Sequence, residues 1–140
     1  MKIFRPLAVI VATVMLLPAP SAIMAAAKFD GSTPLLCVPV MVSECRLEGQ
    51  CRRVTADGVD LPQFLEVDVK VRTVSSAESG RSAPVTAVDH INGNMVLQGA
   101  QAGRGWTMTI SEETGKMSAA IASNAEGWVV FGDCTLLPVR

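Results

Sequence analysis

His90 is the only histidine in the chain of 140 residues, so a general base or an imidazole metal ligand would have to be built around it. Asp89 adjoins it and serines are plentiful, the inventory of a hydrolytic triad. Successive residues on a strand point to opposite faces, however, so Asp89 is badly placed to orient His90. No Gly-x-Ser-x-Gly elbow occurs either. Two carboxylate pairs stand out, Glu112-Glu113 in a turn and Glu66 with Asp68 on the solvent face of a strand. Glycosidase chemistry needs two carboxyls facing each other across a cleft, and neither placement offers that. Met41, Met95, Met108 and Met117 are the soft donors of a copper site. They follow the apolar alternation of their strands, which reads as core filling. Gly99 and Gly103-Arg104-Gly105 lack the strand-to-helix setting of a phosphate loop and read as a hairpin connection. The chain is therefore expected to be non-enzymatic, with no catalytic residue, no cofactor and no metal.

The cysteines carry a different message. There are four, Cys37, Cys45, Cys51 and Cys134. None forms a Cys-x-x-Cys redox pair, and the spacings do not supply the close ligand pairs of a structural zinc site. An even count in a small exported domain implies disulfides, with three possible connectivities. The spacing favours Cys45–Cys51, closing a tight loop over Gly49, with Cys37–Cys134 tying the first strand to the last. The rival is Cys37–Cys51 with Cys45–Cys134. In the favoured pairing Leu47, Glu48 and Gly49 form a rigid protrusion, a candidate partner-binding loop, because rigidity lowers the ordering cost of insertion into a cleft. Trp106, Trp128 and Phe131 are the candidate apolar ligand or partner surface; the alternative is that they fill the core.

These residues need elements to hold them. From Pro84 to Cys134 the chain reads as five short strands and four turns. Asn92-Gly93 between two apolar-bearing runs is a type I′ hairpin signal. Trp106, Met108 and Ile110 alternate with Thr107, Thr109 and Ser111, and Met117, Ala119 and Ile121 repeat the pattern. Trp128 to Phe131 is apolar throughout, as in a strand covered on both faces or one whose outer face binds something. Upstream, Leu35 to Val42 is a strand that Pro39 confines to an edge or a bulge. Leu65, Val67, Val69 and Val71 alternate with Glu66, Asp68, Lys70 and Arg72, which predicts one strand over 64–74. Lys28 to Pro34 reads as a mobile lead-in. No helical apolar stripe appears. The fold class is all-β: an antiparallel meander of about seven strands, as a small barrel or a two-layer sandwich, stapled by disulfides.

The first residues are an address. Lys2 and Arg5 precede the apolar run Leu7 to Leu17, Pro18 and Pro20 break it, and Ala25-Ala26-Ala27 offers a small-residue cleavage site. Residues 1–27 read as a signal peptide and residues 28–140 as a single β domain, periplasmic or secreted, in bacteria. Without Lys2 and Arg5 the chain keeps ten basic against thirteen acidic residues, a net charge of −3. With no basic patch, nucleic acid is excluded as a partner. No membrane insertion is expected after cleavage. The absence of tyrosine and the scarcity of other aromatics argue against a stacking surface for sugars or single strands.

Taken together, Phe29-Asp30-Gly31-Ser32, Leu36-Cys37, the Cys45 and Cys51 pair, Pro62-Gln63-Phe64-Leu65, Gln98-Gly99, Gly103-Arg104-Gly105-Trp106 and Phe131-Gly132-Asp133-Cys134 resemble small exported proteobacterial proteins of unassigned function. That resemblance spans most of the mature chain and implies no activity. The architecture is also similar to periplasmic lysozyme inhibitors, although their Ser-Gly-x-x-Tyr type loop is missing. The expectation is a binding or accessory protein whose partner is another protein or a small apolar ligand. The alternative is a proteinaceous inhibitor of a secreted hydrolase.

Overall fold

The computed structural model describes residues 28–138. The expected signal peptide, residues 1–27, lies outside the described residues. Nine strands follow one another: β1 (Leu35–Arg46), β2 (Arg52–Val54), β3 (Leu65–Asp68), β4 (Thr73–Ser76), β5 (Ser82–Ile91), β6 (Asn94–Gln101), β7 (Arg104–Ser111), β8 (Lys116–Ala122) and β9 (Glu126–Leu136). A short 3-10 turn at Asp57–Val59 is the only helical piece among the described residues. Sequential strands from β3 to β9 pair antiparallel, β1 pairs with β3, and β9 returns to β1. The sheet is thus a closed eight-stranded barrel rather than a sandwich, and β2 lies outside the ring on the C-terminal half of β1.

The local chemistry explains most of this. Asn92 and Gly93 both take positive φ, as do Ala102 and Gly103, and each pair turns a tight hairpin. Period-two alternation sends Leu97, Met108, Val130 and Val42 inward as one interior row, since each faces the next through paired strands or across Ala119. Pro39, which has no N–H to donate, sits where the β1–β9 register shifts. The bulge turns Met41 to the outer face, opposite Phe131, so this methionine does not join Met95, Met108 and Met117 in the interior.

Two sequence expectations are corrected. Residues 64–74 form a hairpin, β3 and β4, and not one strand. The Asp68 carboxylate accepts bonds from the amides of Lys70 and Val71, and Arg72 takes a left-handed φ of 55°, so the chain reverses despite its unbroken alternation. The segment before β1 is not a loose lead-in. Phe29 donates its amide to the Glu112 carbonyl at 3.0 Å and packs against the core. Gly31 is buried where an added Cβ would overlap Val69 and Met95. The segment caps the end of the barrel that carries the chain termini.

Both disulfides pair as the spacing favours. Cys37 and Cys134 face each other across the β1–β9 seam with Cα atoms 4.0 Å apart, and both are buried. Cys45–Cys51 closes the β1–β2 hairpin. Two disulfides belong to a chain that folds in an oxidising, extracytoplasmic environment. The seam disulfide spans 97 residues and the hairpin disulfide 6. Chain entropy assigns them about 4.7 and about 2.4 kcal/mol respectively. Cys37→Ala with Cys134→Ala should therefore cost roughly twice the stability lost in Cys45→Ala with Cys51→Ala. Urea unfolding of the two double variants, with both slopes checked, measures that ratio.

Candidate functional site

The barrel has two unlike ends. At the terminal end, Phe29 and Gly31 fill the opening beneath the hairpin turns. At the other end the long β2–β3 connection stands to one side, and the interior opens into a cavity of about 440 Å³. Its deep wall is apolar: Leu65, Val74, Met108, Met117 and Val130. Its mouth lies between the β2–β3 connection (Asp60, Leu61, Pro62), the start of β5 (Arg81, Ser82, Ala83) and the β6–β7 hairpin (Gln101, Ala102, Arg104). The size falls within the range of small-molecule sites, which are mostly apolar with a few fixed polar groups.

The mouth is braced by polar contacts. Arg81 donates Nη1 to Asp60 Oδ2 at 2.9 Å and Nη2 to Asp60 Oδ1 at 3.2 Å. This bidentate pair joins the β2–β3 connection to the β4–β5 hairpin over the opening. It holds the Asp60 carboxyl below its ordinary value through the Arg81 hydrogen bonds and charge, with a further contribution from Arg104, and it raises Arg81. Gln101 donates its side-chain amide to the Ser82 carbonyl at 2.6 Å.

Beside the mouth, one registered row crosses five strands of the barrel: Gly99 on β6, Trp106 on β7, Ile121 on β8, Trp128 on β9 and Glu44 on β1, with Arg52 of β2 beyond it. Trp106 lines the cavity and lies against Gly99, where an added Cβ would overlap the indole and the Pro84 carbonyl. Trp128 is 4% exposed, and the Arg104 guanidinium stands 4.7 Å from its ring centroid, a cation–π contact. Both indole Nε1–H groups are buried without an acceptor. Glu44 is 3% exposed. It accepts from Arg52 Nε at 2.9 Å and Nη2 at 2.8 Å, and from Arg46 Nη2 at 3.1 Å.

The residues singled out in the sequence are distributed as follows. Trp106 and Trp128 share the interior face. Phe131 does not join them: it is 45% exposed on the outer face of β9, because Trp128 and Val130 take the inward positions of the alternation and Val129 and Phe131 the outward ones. Leu47, Glu48 and Gly49 form the exposed tip of the disulfide-closed hairpin, with the Leu47 amide donating to the Ala125 carbonyl at 3.0 Å. His90 is exposed near the terminal end, with Nδ1 at 2.5 Å from Glu112 Oε1. Among the described residues no group of three or more His, Cys, Asp or Glu is placed to hold a metal ion, and no helix is long and apolar enough to cross a membrane.

Sequence reasoning missed Arg104, Arg81, Asp60 and Glu44. Only Glu44 left a usable signal, since it falls in phase with the inward Val42. The Asp60–Arg81 pair joins residues 21 apart through loops of irregular shape, where no periodicity points to the contact. Compared with protein-family models, with curated proteins and with solved structures, the chain matches none.

The Arg52 and Arg46 hydrogen bonds and charges outweigh the cost of burial and hold the Glu44 carboxyl below its ordinary value of 4.5. Folding thus favours the charged form. Its contribution to stability is complete above that value and is lost as pH falls through the lower folded one. Thermal unfolding followed from pH 7 down to pH 3 should show a loss of stability in acid that is smaller in Glu44→Gln. An unchanged acid slope in that variant would contradict the role of this cluster.

Proposed function

We propose that this is a non-enzymatic binding protein of the periplasm or the exterior that holds a small, largely apolar ligand inside the open end of its barrel. The observation that carries the reading is the cavity, an apolar wall beneath an open mouth braced by Asp60 and Arg81. Eight strands leave room for side chains or for one small ligand. Here the small side chain of Ala119 on the wall leaves part of that space unfilled. The export reading rests on the two disulfides together with the N-terminal sequence.

N-phenylnaphthylamine, a neutral apolar fluorophore, tests this. The oxidised protein should bind one equivalent with enhanced emission. Ala119→Leu, which extends into the cavity, should weaken binding by about tenfold, equivalent to about 1.4 kcal/mol. Ala120→Leu, on the exposed face of the same strand, should leave it unchanged. A folded, oxidised protein that takes up no probe would remove the proposal.

One observation favours a second reading, inhibition of a secreted hydrolase. Leu47 is 82% exposed at the tip of a hairpin closed by a disulfide, the form of a preorganised wedge. Inhibition of a panel of secreted glycosidases and proteases that survives Leu47→Ala with Glu48→Ala would eliminate it.

A further inference from the structure

The charged group left unpaired beside the cavity is a cation. Arg81 is spent on Asp60, and the Gln101 amide on the Ser82 carbonyl. Three carboxylates at this end are likewise engaged: Asp60 by Arg81, Glu44 by Arg46 and Arg52, Glu126 by Arg46. Arg104 is the exception. It is half-buried at the mouth, and among the described residues it makes no ion pair; its guanidinium rests on the face of Trp128. Trp106 lines the cavity and Trp128 lies beneath Arg104, and both indole Nε1–H groups are buried without acceptors. A guanidinium held without a carboxylate partner keeps its donors for an incoming acceptor. A half-buried guanidinium on an aromatic face is likewise set for a planar oxyanion.

Resting on the binding reading above, we infer that the ligand is an amphipathic monocarboxylate: an apolar body against Leu65, Val74, Met108 and Met117, and a carboxylate head held by Arg104 beside the tryptophans. The charge balance selects a monoanion. One guanidinium is free, and the Asp60 carboxylate lines the same mouth, so a dianionic phosphate head would meet repulsion that a carboxylate largely avoids. The apolar walls in turn disfavour a small, fully polar acid, which would leave them facing water.

The chain contains only two tryptophans, and both belong to this row, so intrinsic emission reads the site directly. The oxidised mature protein is titrated at pH 7 with decanoate, decan-1-ol and decyl phosphate. Decanoate should bind about tenfold more tightly than the alcohol, the worth of a charge-assisted hydrogen bond at a partly open site, and decyl phosphate should bind less tightly than decanoate. Arg104→Gln should bring the dissociation constants of decanoate and decan-1-ol together, and Arg104→Lys should retain part of the difference. Near-ultraviolet circular dichroism checks that both variants are folded. Equal affinity for acid and alcohol, a preference that persists in Arg104→Gln, or decyl phosphate binding tightest would each overturn the inference. Uptake of the neutral N-phenylnaphthylamine without any preference for decanoate would defeat the carboxylate assignment alone. Failure to take up that probe would defeat the cavity reading itself.

Discussion

Closure of the sheet between its first and last strands is the constraint on which the rest depends. β1 and β9 are joined through eleven registered pairs, from Leu35 with Leu136 to Arg46 with Glu126, and the Cys37–Cys134 disulfide locks one of them from inside. Their contact joins the two ends of the described chain, so its loop entropy is the largest in the fold. Once made, it removes the unpaired edges of an open sheet. It also creates an interior, because only a closed ring gives inward side chains a shared space. Without the seam, Met108, Val130 and Leu97 would line one face of an open ribbon, and there would be no cavity.

Two small departures from regularity shape that interior. The bulge at Pro39 bends β1 and turns Met41 outward, which takes a large side chain away from the cavity side of the seam. At Gly132 an added Cβ would collide with the Val38 carbonyl and crowd Met117, so the backbone of β1 approaches β9 more closely there than any other residue would allow. Gly99 does the same for Trp106, letting the indole lie across its neighbour strand. Space near the mouth thus follows from missing side chains as much as from the strand count.

The sequence was most legible where local chemistry and global topology agree. The meander from β5 to β9 could be read strand by strand, because Asn92-Gly93, Gly103 and Gly115 mark turns and the apolar alternation keeps its phase within each strand from β6 to β9. The pairing of Cys37 with Cys134 followed from the expectation that a rolled sheet brings first and last strands together. Reading failed where tertiary contact overrides pattern. The alternation of Leu65, Val67, Val69 and Val71 is as regular as any in the chain, yet the Asp68 side chain captures two amides and reverses the backbone between Asp68 and Thr73. The face of Phe131 stayed open for a simpler reason: in an all-apolar strand the face is decided by register, and register is fixed by partners. The cavity was hidden because volume is a property of the closed ring and belongs to no single stretch.

The asymmetry of the two ends bears on where function resides. The terminal end is sealed by Phe29 and Gly31 and has tight turns at Asn92-Gly93 and near Gly115. The opposite end gathers the cavity mouth, the Asp60–Arg81 pair and the Leu47 hairpin. The row from Gly99 to Arg52 links these features. Trp128 lies under Arg104 on one side and is registered with Glu44 on the other, and Glu44 binds Arg46, within the Cys45–Cys51 loop, and Arg52, which follows it. The cavity mouth and the exposed Leu47 hairpin thus lie at one end of the barrel, along one line of paired residues.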